Sequence, residues 1–133
     1  MNYRDVYSEE IIDSQGILFE IVASKKINFE RFITDYMNSS VREQIDNRNP
    51  IICNYLPLEL LEEFEKTGGK IYKGKGFNFM LANWVGEMYA CLQDYLGVSS
   101  KEIIKQFPAE KILRICVGLH DYDMEIAIQK LLS

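Results

Sequence analysis

Residues 78–97, NFMLANWVGEMYACLQDYLG, decide how the rest of the chain is read. At 100° per residue, Met80, Leu81, Trp84, Val85, Met88, Tyr89, Cys91, Leu92, Tyr95 and Leu96 fill about half of a helical wheel, wider than the stripe of an ordinary surface helix. A helix this apolar needs more than one neighbour. On the other side Ala82, Gly86 and Ala90 recur at every fourth position, where small residues let a second backbone approach closely. Glycine inside a helix costs about 1 kcal/mol against alanine, so close packing is the expected reason for Gly86. Only Asn83, Glu87, Gln93 and Asp94 need water or partners. Asn78 is placed to cap the start, and Gly97 before Val98 suits a left-handed end with its apolar contact. The stretch reads as a long, mostly buried core helix.

Toward the N-terminus, Asp13 or Ser14 is a candidate cap for a helix reaching about Lys25, with Ile17, Leu18, Ile21 and Val22 inward. Asn28 caps a second helix, in which Phe29, Phe32, Ile33, Tyr36 and Met37 repeat at helical spacing. Asn38-Ser39-Ser40 restarts a short helix over Val41 to Ile45, closed by the loop 46–50. Ile51 to Leu56 reads either as extended chain or as a core plug. Pro57 suits a first helical position; Leu58, Leu60, Leu61 and Phe64 then line one face, opposite Glu59, Glu62, Glu63 and Glu65. The segment 70–79, KIYKGKGFNF, alternates around a glycine turn and is expected to form a small hairpin.

Beyond the central helix, Ser99 and Glu102 form a capping box for a short helix holding Ile103, Ile104 and Phe107. Pro108 restarts another, in which Ile112, Leu113, Ile115, Cys116 and Val117 run to Gly118. Asp121 or Asp123 caps a last helix with Met124, Ile126, Ala127, Ile128, Leu131 and Leu132 packed. The expected fold class is therefore all-α, mainly: a compact bundle of six to eight helices around the buried helix 78–97. Its 133 residues form one helical domain, 1–133, large enough to bury about two-thirds of the unfolded surface without staples.

Three cysteines, Cys53, Cys91 and Cys116, lie far apart with no CxxC pair, the pattern of reduced thiols and of a cytoplasmic protein. The start, MNYRDVYSEE, is charged and lacks an apolar leader segment. The central helix is too short and too polar to span a membrane. Residues 1–66 hold thirteen acidic side chains against seven basic ones, whereas residues 67–133 hold seven against eight. An acidic half disfavours nonspecific nucleic-acid binding and suits a basic protein partner.

Four constellations invite a chemical reading. Gly69 to Gly76 nearly spells the phosphate loop GxxxxGK[ST], but Gly76 replaces the magnesium-binding hydroxyl and a helix precedes it where a strand is needed. Glycine turns with solvated lysines remain the simpler reading, and Lys70, Tyr72, Lys73 and Lys75 form the most basic exposed patch, a candidate contact for phosphate or an acidic partner. Leu92 to Phe107 imitates a helix-turn-helix in which Ser100, Lys101 and Lys105 would meet DNA. Gln93 stands where the crossing needs alanine, and no arginine is present to read guanine. His120, the only histidine, neighbours Asp121; a metal or general-base site there needs further ligands that the sequence does not offer. Finally, Glu59, Glu62 and Glu63 form an acidic helix face, a solvated surface or a dock for a basic partner.

In the C-terminal half, Trp84-Val85-Gly86, Tyr89, Val98 to Ile103, Gly118 to Asp121 and Glu125-Ile126-Ala127 resemble small, functionally uncharacterised proteins of Firmicutes. Residues 29–61, around Phe32, Tyr36 to Ser39 and Tyr55-Leu56, resemble another such family. Some of these genes lie beside genes for toxin-like proteins, including ones similar to ADP-ribosyltransferases. The resemblance implies an accessory or neutralising role and carries no catalytic motif. The expected function is thus a non-enzymatic protein-binding module, the antitoxin-like component of a toxin–antitoxin or defence system. It would bind a basic toxin or defence protein, need no cofactor or metal, and sit in the cytoplasm away from membranes; self-association into a homo-oligomer stays open. The alternatives are a helix-turn-helix regulator and a phage-encoded inhibitor of a host defence protein.

Overall fold

The structure, a computed structural model, describes residues 6–133, with side chains from Ser8 onward; the charged start, residues 1–5, lies outside the described residues. Nine helices follow one another there: α1 Val6–Ala23, α2 Phe29–Met37, α3 Ser40–Asp46, α4 Pro50–Cys53, α5 Pro57–Lys66, α6 Phe79–Leu96, α7 Ser100–Gln106, α8 Ala109–Leu119 and α9 Met124–Leu132. The architecture is all-α, with more short helices than the sequence suggested. No helix is long and apolar enough to cross a membrane among these residues.

α6 starts where Asn78 accepts the Leu81 N–H and ends on Gly97 at φ 66°. Its closest neighbour is α1. The reason is the small-residue stripe: a Cβ built on Gly86 would stand 2.6 Å from the Gln15 carbonyl oxygen and 3.0 Å from Gly16 Cα. Two glycines face each other across this crossing, so the backbones approach more closely than side chains would permit. That contact rotates the buried arc of α6 toward Ala82, Gly86, Ala90 and Gln93. Met80 and Tyr95, expected inside, consequently lie exposed at the two ends.

The same crossing corrects the first helix. It begins at Val6, not at Asp13 or Ser14, and ends before Lys25. Gly16 must face α6, so Gln15, Leu18 and Phe19 turn inward and Ile17 turns out. Phe19 then meets Phe29, Phe32 and Tyr36 edge-on at 5.7–6.0 Å, and Phe64 from α5 closes on Phe32 and Tyr36. Edge-to-face contacts at this spacing are the favoured geometry of aromatic pairs.

The hairpin at 70–79 does not form. Its chain pairs instead with residues 26–28: Asn28 N–H donates to Tyr72 O at 2.7 Å, Gly74 N–H to Lys26 O and Gly76 N–H to Ile27 O. Gly74 is needed because a Cβ there would meet the Asn28 backbone at 2.6 Å. Backbone groups that a two-stranded hairpin would leave half exposed are thereby tied to the body of the fold. Ile51 to Cys53 belongs to the single turn α4, Pro50–Cys53, capped by Asn49, with only Ile52 buried. In the last helix Ile126 and Leu132, expected inside, are exposed, as is Val117 of α8.

Candidate functional site

The acidic helix α5 is held by its own first turn. Leu56 N–H donates to the Glu59 carboxylate at 2.8 Å, which satisfies one of the donors a helix start leaves open. Leu60, Leu61 and Phe64 are buried. Leu58, expected on that inner face, points out, because Pro57 and the capped turn place it on the solvent side. It joins Leu56 and Ile51 as a run of large aliphatics 54–68% exposed. Glu59 and Glu62 are exposed beside them and Glu63 is half-buried.

Lys70, Tyr72, Lys73 and Lys75 are all exposed. The Arg31 guanidinium lies 4.0 Å over the Tyr72 ring, a cation–π contact that fixes the tyrosine. Tyr72 and Lys70 border an open groove of about 510 Å³ that also touches Asp35, Asn38 and Ser39. The phosphate-loop resemblance ends here: the N–H groups of Gly74 and Gly76 donate to residues 26 and 27, not into a cradle.

Asn38 also borders a second groove, of about 480 Å³, with Ser99, Lys101 and Lys105. The fold therefore brings Lys70 on one side and Lys101 and Lys105 on the other to the α2–α3 junction, although about thirty residues separate them in sequence. Ser100 is not with them. It is buried, its N–H donates to Asp46 Oδ2 at 2.7 Å, and its hydroxyl donates to Asp46 Oδ1 at 2.7 Å. A carboxylate caps the end of α7 that a DNA reader presents to bases, which removes Ser100 as a contact residue.

Asp46 belongs to a polar network that sequence reasoning missed. Arg42 of α3 is fully buried. Its guanidinium donates to Gln15 Oε1 at 2.5 Å, Ser100 Oγ at 2.9 Å, Asp46 Oδ1 at 3.2 Å and Gln93 Oε1 at 3.4 Å. Gln15 donates onward to Gly86 O, and Gln93 to Val98 O, each at 2.9 Å. One cation thus joins α1, α3, α6 and α7. The i, i+4 pair Arg42 and Asp46 was visible in the sequence, but on a short polar helix it reads as surface.

His120 and Asp121 lie together at the α8–α9 turn. His120 Nδ1 is 2.7 Å from Val117 O, and Nε2 is 3.4 Å from Asp121 Oδ1, with both residues exposed. Among the described residues no group of three His, Cys, Asp or Glu side chains could hold a metal. Cys91 and Cys116 are buried, and burial pushes the Cys116 thiol up, away from the thiolate that a nucleophile needs. Between α8 and α9 opens a groove of about 440 Å³ floored by Ile115, Leu119, Tyr122 and Leu131, with Lys111 and Lys130 at its edges. Lys130 Nζ lies 4.8 Å over the Tyr122 ring.

Comparison with protein-family models, curated proteins and solved structures gives no match.

Proposed function

We propose that this chain is a protein-binding module whose docking surface is the α4–α5 edge and whose partner is a basic protein. The observation that carries this reading is the trio Ile51, Leu56 and Leu58, each more than half exposed within eight residues of chain and bordered by Glu59 and Glu62. Single exposed aliphatics are ordinary on protein surfaces. A group of them with charged neighbours has the make-up of an interface, an apolar centre that releases water on contact and a polar rim that selects the partner. The Glu59 cap holds Leu56 in place before binding, which lowers the ordering cost of association.

Neutralising a partner requires only such complementarity of shape and charge. The resemblance to Firmicutes proteins encoded beside toxin-like genes supports an antitoxin-like role in a toxin–antitoxin or defence module. The same contact serves if the target is a host defence protein.

The test is a tagged pull-down at native expression, with and without nuclease, comparing wild type with a Leu58→Asp, Glu62→Lys, Glu63→Lys variant. Glu59 is left in place because it caps the helix. One stoichiometric, nuclease-resistant basic protein, retained by wild type and lost by the variant, is expected. Equal recovery by the two chains overturns the surface, and a partner lost on nuclease treatment replaces the protein-binding reading with a nucleic-acid one.

A further inference from the structure

The α8–α9 groove is a second unpartnered surface, and its chemistry is the complement of the α4–α5 edge. Its lining holds two lysines, Lys111 and Lys130, and no carboxylate; Asp121 and Asp123 sit at the turn outside it. The α4–α5 edge offers the converse, aliphatic side chains bordered by glutamates and no lysine before Lys66. One chain therefore carries both halves of a matched pair, apolar against apolar and ammonium against carboxylate.

We infer that the α8–α9 groove receives the α4–α5 edge of a second copy of this chain. Leu56 and Leu58 enter between Ile115, Leu119 and Tyr122, and Glu62 and Glu63 meet Lys111 and Lys130. Opposite charges at the rim fix the register and speed the encounter, while the apolar centre slows release. If two copies exchange edges reciprocally, each contact is made twice about a two-fold axis; a one-way contact adds copies in series. The inference uses the α5 edge named above but does not rest on the proposed partner, because it is read with no other protein present.

Sedimentation velocity of the purified full chain, over a concentration series and at low and high salt, tests it. Wild type is expected to self-associate and to do so more weakly as salt rises. Lys111→Glu with Lys130→Glu, and separately Glu62→Lys with Glu63→Lys, should each weaken association roughly tenfold or more, because each makes the two surfaces alike in charge. An equimolar mixture of the two variants should recover it, since each reversed surface then meets its complement. The substituted side chains are exposed or half-buried, and unchanged thermal melts confirm that each variant is folded. A wild type that stays monomeric at every concentration, reversals without effect, or a mixture that does not recover association would each overturn the inference. A wild type that stays monomeric yet captures its basic partner would reject this contact and leave the proposed function standing.

Discussion

The Gln15 side-chain amide donates to the carbonyl oxygen of Gly86 at 2.9 Å, while the Gln15 carbonyl oxygen lies 2.6 Å from where a Gly86 Cβ would stand. The two residues are thus joined by a hydrogen bond and by a contact that only glycine permits. Gly86→Ala should push α1 off α6 and destabilise the fold by about 1–3 kcal/mol, the usual range for overpacking. Gly118, inside α8, has no atom within 4 Å of its Cβ position. Gly118→Ala should raise stability by up to about 1 kcal/mol through helix propensity alone. Urea denaturation of the two variants reads both effects, which should be opposite in sign.

Arg42 takes the same crossing into the polar interior, because Gln15 accepts from it while donating to Gly86. Removing the guanidinium leaves Asp46 without its buried cation and two glutamines short of donors. Arg42→Ala should cost about 3–5 kcal/mol, as for other broken buried pairs. Arg42→Lys should recover only part of that, since one ammonium lacks the planar fork that reaches four acceptors. Chemical denaturation with a parallel Asp46→Asn variant separates the charge from the hydrogen bonds.

The central helix was legible because its two caps and its apolar arc point the same way. Its rotation was not, since hydrophobicity places Met80 inside whereas the glycine contact with α1 places it outside. The same blindness hid Arg42 and Ser100. A polar residue on a short helix looks solvated until the fold supplies its partners, and apart from the Arg42–Asp46 pair those partners lie 27 to 58 positions away. The hairpin at 70–79 failed for a related reason: alternation gave an extended strand but not the segment, 26–28, that pairs with it. The exposed Leu58, Ile126 and Leu132 were read as core because leucine and isoleucine periodicity does not say which apolar residue lacks a neighbour.

Tyr89 and Tyr36 set the alkaline limit. Both are buried, and desolvation raises both phenols above the ordinary 10.0. The unfolded chain therefore loses these protons first as pH rises, and stability falls once pH passes about 10, by about 1.4 kcal/mol per unit for each tyrosine. The hydroxyls differ in what they bind. Tyr89 donates to Phe107 O at 2.7 Å, whereas the Tyr36 hydroxyl has no hydrogen-bond partner among the described residues. Tyr89→Phe should cost about 1–3 kcal/mol at neutral pH by stranding that carbonyl, and Tyr36→Phe should cost less. Each should flatten the alkaline slope measured by melts from pH 8 to 11.

Lys101 and Lys105 separate the protein-binding and DNA-binding readings. Both are exposed, so their reversal to glutamate should change stability by no more than about 0.5 kcal/mol. With Ser100 capped by Asp46 and turned inward, the start of α7 has little to offer a base edge. Partner capture by the doubly reversed chain should equal that of wild type. A strongly salt-dependent complex with DNA, abolished by the same reversal, is the contrary result.

Glu59 and Glu62 look alike in the sequence, two carboxylates on one acidic face, but the fold gives them different work. Glu59 accepts the Leu56 N–H at 2.8 Å, so Glu59→Ala should lower stability by about 1 kcal/mol, the usual value of a lost helix cap. It should weaken capture of a basic partner only as far as Leu56 becomes mobile. Glu59→Gln should restore most of the stability, because an amide oxygen accepts the same bond. Glu62→Lys should do the opposite, leaving the melting temperature nearly unchanged and reducing partner affinity by reversing a rim charge. Thermal melts and capture measured on the same three proteins distinguish a carboxylate that builds the surface from one that is read by it.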